Sequence, residues 1–433
     1  MRDGRFPAEG RDVAVARGRR RRLRRHPDPD RSGGAALCPV VPEHPPRPAA
    51  RRGRGSARRR LRRDGALGQP AGGGHGRNDR GRRAQVSTTA GGREQWIDTA
   101  RAVAIVLVVL FHAVIFLDVV QAAGAWPRVN NLLDSFRMPL FFTLSGILAV
   151  SSMGRPLRVV WARRAAPLLY LYPLWCLIQH AVGWTLGPPV GSEPSVGGLL
   201  RLLVLPDENL WFILALPLYV LAHRAVVSAP TWLVLTTSAT VSLVVPLLLP
   251  EAAEAWVKPS RYLVFFTLGL VFSGRIRRAA GRVRTGGAVI AIGAFVAGSL
   301  AVRSLAGALG DGAAATVLVP TARTLLGVVA VAAGIAAAVL LSRHGGRIAT
   351  RVAALGRRTL PVYLLHTIPL MLGAAVLGSL WPHGAPLGSL WPPVAAAAAI
   401  ALSLLVHRAT ARIPGLYSLD GLPSRTGRRA VAS

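Results

Sequence analysis

Long apolar runs separated by short polar connections make up the chain from about residue 93 onward. A helix needs roughly 20 mostly apolar residues to cross a bilayer. Runs of about that length lie at residues 99–120, 132–152, 165–186, 210–227, 231–249, 259–273, 286–307, 317–341, 360–380 and 391–407. The pattern therefore predicts an all-α fold, a polytopic integral membrane helix bundle of about ten transmembrane helices.

Arginine residues are distributed unequally among the connections between these runs. The connections after the second, sixth, eighth and tenth runs are rich in arginine, whereas the opposite connections carry little beyond Arg128, Arg201, Lys258 and Arg261. Short cytoplasmic loops carry an excess of Lys and Arg, so the alternation predicts that both termini are cytoplasmic. It also supports the count of ten, because one missed span would invert every later connection. Only the connection from the fourth to the fifth run, with Arg224 alone, is a weak indicator.

The first 92 residues have a different composition. They are rich in Arg, Gly, Pro and Ala, with few aromatic or branched apolar residues, so we predict a disordered leader over residues 1–92. No apolar segment follows its basic residues, which argues against a signal peptide. Two interpretations stay open: an arginine-rich tail for anionic lipid or nucleic acid, or an upstream stretch that is not normally translated, with an alternative start near Val86. The absence of lysine favours the second, because it is typical of GC-rich codon usage.

The rest of the chain divides into a transmembrane domain, residues 93–412, and a basic cytoplasmic tail, residues 413–433. The formal net charge of +34 would by itself suggest nucleic acid or a membrane surface, but 24 of the 53 basic residues precede position 93. We therefore expect no nucleic-acid partner. The two cysteines, Cys38 and Cys176, make no disulfide framework, and no metal-ligand spacing is present. We expect no metal site and no tightly bound cofactor.

Charged side chains inside the apolar runs are the first functional candidates, because charge is costly in lipid and is kept mainly where it is used. The first run contains Arg101 and His112, eleven residues apart, which on a helix means about 16 Å of rise and nearly the same face. Asp98 lies three residues before Arg101 and can pair with it. Two structural alternatives stay open. Arg101 could merely extend to the interface, and His112 could be a core histidine bonded to a carbonyl group.

Two further arginines lie inside predicted spans. Arg137 in the second span can pair with Asp134, three residues before it, and lies too deep to be explained by extension to the interface. Arg323 lies about six residues into the eighth span, whereas Arg261 at the edge of the sixth is expected to extend to the interface. Gly146 in the second span is expected to allow close helix packing.

Other polar and aromatic candidates lie in later spans. Glu208 and Trp211 are placed at the outer end of the fourth span, where Trp211 also fits an ordinary aromatic belt. His366 lies about two turns into the ninth span, with Tyr363 one turn before it. Function and core packing are equally open for His366. His223 falls beside a connection and needs no special role.

Five segments together resemble a known family. They read "WIDTARAVAIVLVVLFH", "FRMPLFFTLSGIL", "LWFILALPLY", "RYLVFFTLGLVF" and "TLPVYLLHTIPL", and in this order they resemble the membrane-bound acyltransferase family 3, including its fucose 4-O-acetyltransferase-like branch. The resemblance covers about residues 93–407. Its most specific elements are the arginine, ten residues and histidine of the first span and the "MPLFFTLSG" of the second. The arginine-rich leader has no counterpart in the family. The extra hydrolase-like domain that some members carry has no counterpart in this sequence.

The resemblance implies about ten spans with cytoplasmic ends and an O-acyltransferase activity. Family members move an acyl group, often acetyl, from cytoplasmic coenzyme A to a hydroxyl of a sugar or other acceptor. Carried over to this sequence, Arg101 and His112 match the family's essential pair, and Arg137 matches its second-span arginine. We therefore expect acyl-coenzyme A as donor, acetyl by default, and a glycan, glycolipid or small metabolite as acceptor.

The roles of these residues follow from the chemistry of acyl transfer. A hydroxyl needs a base, and neutral histidine is suited to that task near pH 7, so we assign the base to His112. His112 as an acyl-carrying nucleophile stays open. The donor carries phosphates, so we place Arg101, with Asp98 beside it, at the donor site. Arg137 binds the acceptor or stabilises the oxyanion.

Two other classes of membrane protein fit the same pattern. One is a structural or lipid-binding membrane protein without chemistry, in which the aligned Arg101 and His112 would be superfluous. A secondary transporter also has about ten spans and buried charges near the midplane. Its usual sign is an internal repeat, and spans one to five show no pairing with spans six to ten. We expect an enzyme of a bacterial plasma membrane, with the transporter as the alternative.

Overall fold

The computed structural model describes residues 94–201, 205–206, 209–248, 254–310, 312–381 and 388–419. The predicted leader, residue Glu208 and residues 420–433 of the predicted tail lie outside this part of the chain. Within it the secondary structure is helical throughout, without strands. The prediction of an all-α fold is confirmed.

Sixteen α-helices follow one another along the described segments. They are α1 (Gln95–Val119), α2 (Trp126–Leu132), α3 (Asp134–Met153), α4 (Leu157–Val160), α5 (Ala166–Leu186), α6 (Val196–Arg201), α7 (Trp211–Ala225), α8 (Thr231–Leu248), α9 (Glu254–Val271), α10 (Ser273–Arg282), α11 (Thr285–Leu309), α12 (Ala313–His344), α13 (Gly346–Gly356), α14 (Thr359–Leu365), α15 (Thr367–Leu380) and α16 (Trp391–Thr410). A π-helical turn, Trp161–Ala165, joins α4 to α5, and a 3₁₀ turn, Gly388–Leu390, precedes α16.

Eight helical segments of the described chain are long and apolar enough to cross a membrane. Six are α1, α3, α8, α11, α12 and the continuous segment Leu157–Leu186, and the other two are Thr359–Leu380 and Gly388–Thr410. The other two predicted spans coincide with α7, which has only 15 residues, and with α9, which carries Glu254, Lys258 and Arg261. The chain is thus a polytopic membrane helix bundle. The crossings of α7 and α9 and the cytoplasmic position of the termini stay predictions.

Close backbone contact between α3 and α9 lies at the centre of the bundle. A Cβ atom at Gly146 of α3 would overlap the carbonyl oxygen of Phe266, and one at Gly269 of α9 would overlap the carbonyl oxygen of Thr143. Small residues let transmembrane helices approach each other in this way, as predicted for Gly146. The contact brings the second span against the sixth and fixes the position of Arg137 on α3.

Two irregular backbone segments shape the surroundings of the site. Pro369 has no N–H to donate to the carbonyl of Leu365, and the ninth span breaks at His366, between α14 and α15. Pro167 likewise leaves the carbonyl of Arg163 without its helical donor, and the π-helical turn lies directly before it, with the Ala166 N–H bonded to the carbonyl oxygen of Trp161. π-Helical turns are frequent at functional sites.

Candidate active site

Two histidines from distant spans meet inside the bundle. His112 lies on α1 and His366 at the break between α14 and α15, and both are buried. Nε2 of His366 is 3.1 Å from Nδ1 of His112, and the ring centroids are 4.9 Å apart. The structure thus brings together two sequence candidates separated by 254 residues.

The hydrogen bonds of this pair assign a proton to each ring. Nδ1 of His366 donates to the carbonyl oxygen of Tyr363 at 2.8 Å, which leaves Nε2 of the neutral ring as an acceptor. Nδ1 of His112 lies 2.9 Å from the carbonyl oxygen of Val108 and within reach of that acceptor, so it carries the proton. The lone pair of neutral His112 is then on Nε2. The structural alternative for His112, a core histidine bonded to a carbonyl group, describes part of what is seen, because His112 bonds the carbonyl oxygen of Val108. The contact with His366 is additional to that bond.

Arg101 is held near one end of the same two helices. Its Nη2 donates to Oγ1 of Thr359 at 2.7 Å, and its Nη1 lies 3.9 Å from Oδ1 of Asp98. Asp98 is buried, and its Oδ2 also lies 3.8 Å from Nη1 of Arg357. Thr359 begins α14 and His366 follows its last residue, so Arg101 and His112 both contact this short helix. The ion pair with Asp98 orients the guanidinium of Arg101.

A cavity of about 310 Å³ lies between α1, α3, the π-helical turn, α7 and α14. Its wall is mostly apolar, with Phe141, Leu148, Phe212 and Leu216 among the lining residues. Arg101 and Arg164 supply its cationic lining, Arg164 from the π-helical turn. An apolar cavity with two guanidinium groups suits a molecule that has both an apolar or neutral arm and an anionic end.

Tyr363 connects this cavity with the histidine pair. It lines the cavity, and its ring centroid is 5.8 Å from that of His366. Its hydroxyl donates to the carbonyl oxygen of Asn209 at 2.8 Å, and its ring lies 5.7 Å from that of Phe212. This cavity and the histidine pair therefore share a wall.

Arg137 is connected with His112 through the ring of Phe111. Its side chain is only 5% exposed, and its Nη1 donates to Oδ1 of Asn130 at 3.0 Å. Its Nη2 lies 3.5 Å from Oδ1 of Asp134, and its guanidinium stands over the ring of Phe111 at 4.1 Å. Phe111 in turn packs edge-on against His112 at 5.1 Å. The ring of Phe111 thus lies between the guanidinium of Arg137 and the ring of His112.

The remaining sequence candidates lie elsewhere. Trp211 is buried in an aromatic cluster with Phe142 and Tyr262, at ring distances of 5.6 Å, rather than exposed in an aromatic belt. Arg323 lines two other cavities, away from the histidine pair. Glu208 lies outside the described residues. In the segments that the structure describes, no three His, Cys, Asp or Glu side chains come together to hold a metal ion.

Two polar residues of the site were not found from the sequence. Thr359 and Asn130 each contact a candidate residue, and no local pattern marked either of them. Arg164, which lines the cavity, belongs to the arginine-rich connection after the second run. His223, for which no special role is expected, is buried in the last turn of α7 and hydrogen-bonded through Nε2 to Thr267 at 2.9 Å. His223 belongs to the contact between α7 and α9.

A known protein family matches most of the chain. The sequence model of the acyltransferase family 3, described as an acyltransferase domain, matches residues 94–408. The matched region contains Arg101, His112, Arg137 and His366. No curated protein and no solved structure gave a match. The chain therefore belongs to acyltransferase family 3 and is a multi-pass membrane acyltransferase.

Proposed function

We propose that the chain transfers an acyl group, acetyl by default, from cytoplasmic acyl-coenzyme A to a hydroxyl of a carbohydrate or other acceptor in a bacterial plasma membrane. The observation that carries the proposal is the contact between His112 and His366 beside the arginine-lined apolar cavity. Glycans, glycolipids and small metabolites are the acceptor classes that suit this chemistry. The family match favours this reaction over the transporter alternative.

His112 is the general base of the proposed reaction. Its Nε2 takes the proton of the acceptor hydroxyl while the oxygen attacks the thioester carbon. The tetrahedral intermediate then expels the coenzyme A sulfur, which receives the proton back from His112, so that an ester and free coenzyme A are formed. The bond from Nδ1 of His112 to His366 keeps Nε2 available and stabilises the imidazolium that forms, as the third member of a catalytic triad does. His366 is a positioning residue in this scheme.

The arginines have two different roles in the proposed reaction. Arg101 and Arg164 bind phosphate oxygens of the donor, because guanidinium groups pair with phosphate through two parallel hydrogen bonds. Asp98 and Thr359 hold Arg101 in position for this task. The apolar wall of the cavity accommodates the pantetheine arm and the acyl group. Arg137 stabilises the developing charge or binds the acceptor.

The test uses purified protein in nanodiscs with acetyl-coenzyme A, and it measures free thiol release together with acetylated product. His112→Ala should lower the rate by about 10² to 10⁴, the usual contribution of a general base. His180→Ala is the matched control, because His180 on α5 also bonds the carbonyl four residues before it, at 2.9 Å from Cys176, but lies outside the pair. Full activity of His112→Ala would remove His112 from the reaction.

A second measurement separates the two roles of His112. Rapid quenching followed by mass spectrometry of the α1 peptide detects an acyl group on the ring, which an acyl-carrying histidine would accumulate and a general base would not. The acceptor class is identified separately, by mass spectrometry of surface glycans and metabolites from cells with and without the protein.

A further inference from the structure

Four arginines that are far apart in sequence converge at a second place in the bundle. Arg128 of α2, Arg303 of α11 and Arg323 of α12 line one cavity of about 310 Å³, which we call the arginine cavity. Arg261 of α9 lies with Arg323 in a smaller adjoining cavity of about 40 Å³. The two cavities share Ser135 and Arg323. Neither is part of the cavity lined by Arg101 and Arg164, which we call the donor cavity and which has a different lining.

Among the residues that the structure describes, no ion pair balances the charge of these four arginines. In the same part of the chain, Nε of Arg261 is buried without a hydrogen-bond partner. The acidic residue that lines the smaller cavity is Asp134, which already pairs with Arg137. Cations arranged around one space repel each other, and a bound anion removes that repulsion.

Extension of single arginines to the membrane interface does not explain this arrangement. Arginines that extend to lipid headgroups are scattered around a bundle, and the side predicted to be outer carries few basic residues at all. Arg128 and Arg261 belong to those few, and together with Arg303 and Arg323 from within predicted spans they come from four different helices and line two adjoining cavities. Neutral polar residues, Asn131 and Ser135, complete the lining of the arginine cavity.

We propose that the arginine cavity binds a phosphate ester on the predicted outer side. Phosphate has several acceptor oxygens and pairs with more than one guanidinium at once, which matches three arginines around one space. The ester comes from a phospholipid headgroup or from the phosphate of a lipid-linked saccharide. That the phosphate belongs to the acyl acceptor rests on the proposed function.

A short series of contacts links this place with the histidine pair. Asp134 lines the smaller cavity and lies 3.5 Å from Arg137, whose guanidinium covers Phe111 beside His112. An acceptor held by its phosphate in the arginine cavity would thus approach His112 from the side on which Arg137 and Phe111 lie.

The experiment measures local protection from hydrogen exchange in the purified protein, without any acyl donor. Inorganic pyrophosphate is titrated in neutral detergent, and exchange is followed in α2 and at the end of α11, so binding elsewhere does not enter the readout. The variants are the double substitution Arg303→Gln with Arg323→Gln and the control Arg201→Gln. Arg201 is exposed on α6, is also predicted to be outside, and does not line the cavity.

Protection should appear in the wild type and in Arg201→Gln at similar concentrations. The double variant should need at least about tenfold more pyrophosphate, since two charge-assisted hydrogen-bond donors to phosphate are lost. The double substitution Arg303→Lys with Arg323→Lys keeps the charge and should recover part of the affinity, which covers the case in which the Gln variant does not fold.

A second arm distinguishes the sources of the phosphate. Nanodiscs of phosphatidylcholine with and without phosphatidylglycerol replace the pyrophosphate. Protection by phosphatidylglycerol that is lost in the Gln variant, without any effect of pyrophosphate, assigns the site to a lipid headgroup. Protection by pyrophosphate assigns it to an accessible phosphate. Equal behaviour of wild type and Gln variant with both probes overturns the proposal, whatever the outcome of the His112 test.

Discussion

Replacement of His366 tests whether it orients the catalytic ring or only fills the core. His366→Ala removes one of the two acceptors within reach of Nδ1–H of His112, namely Nε2 of His366 at 3.1 Å, and leaves the carbonyl oxygen of Val108 at 2.9 Å. A hydrogen bond between neutral groups contributes about 0.5–1.5 kcal/mol, and one to a charged group about 1.5–3 kcal/mol. The bond therefore strengthens by about 1–2 kcal/mol when His112 takes up a proton in the transition state, which corresponds to a rate factor of roughly 5 to 30.

The assay is steady-state acetyl transfer in nanodiscs, with kcat and KM determined separately. We expect kcat of His366→Ala to fall by about tenfold, within that range, while KM for acetyl-coenzyme A stays within about twofold. His366→Gln should restore most of kcat, because its side-chain oxygen can accept from Nδ1 of His112. A rise in KM with unchanged kcat, or equal losses in Ala and Gln variants that follow a lower melting temperature, would refute the positioning role.

Three further variants test other parts of the structure. Arg101→Gln should raise KM for acetyl-coenzyme A by about tenfold or more, through loss of a charged hydrogen bond, whereas Arg351→Gln, an exposed arginine on α13, should not. Arg137→Gln should lower kcat by about 10², and Arg137→Lys should not restore it, because the planar guanidinium contacts Asn130, Asp134 and Phe111 at once. Gly146→Ala should destabilise the protein by about 1–3 kcal/mol in detergent melting experiments, because its Cβ overlaps the Phe266 carbonyl. Gly373→Ala in open space on α15 should be neutral.

Helix positions in this bundle were predictable because the bilayer imposes one simple requirement on every span. The run at 99–120 corresponds to α1, Gln95–Val119, and the run at 132–152 to α3, Asp134–Met153. The arginine-rich connections were read as loops, yet three of them contain helices, α4, α10 and α13. All three are short and mix arginines with apolar residues, so their pattern lacks the continuous apolar length on which the prediction relied.

The contact between His112 and His366 was not predictable in the same way. Helical periodicity places each histidine on a face of its own helix, but it does not say which of the other helices that face meets. One local feature nevertheless distinguishes His366 from a packed histidine. Pro369 interrupts the ninth span directly after it, and an interrupted helix is tolerated at membrane depth only where protein or a water-filled cavity covers the freed backbone groups. A histidine at such a break is therefore a stronger functional candidate than one inside a regular span, such as His180, whose Nδ1 bonds the carbonyl oxygen of Cys176.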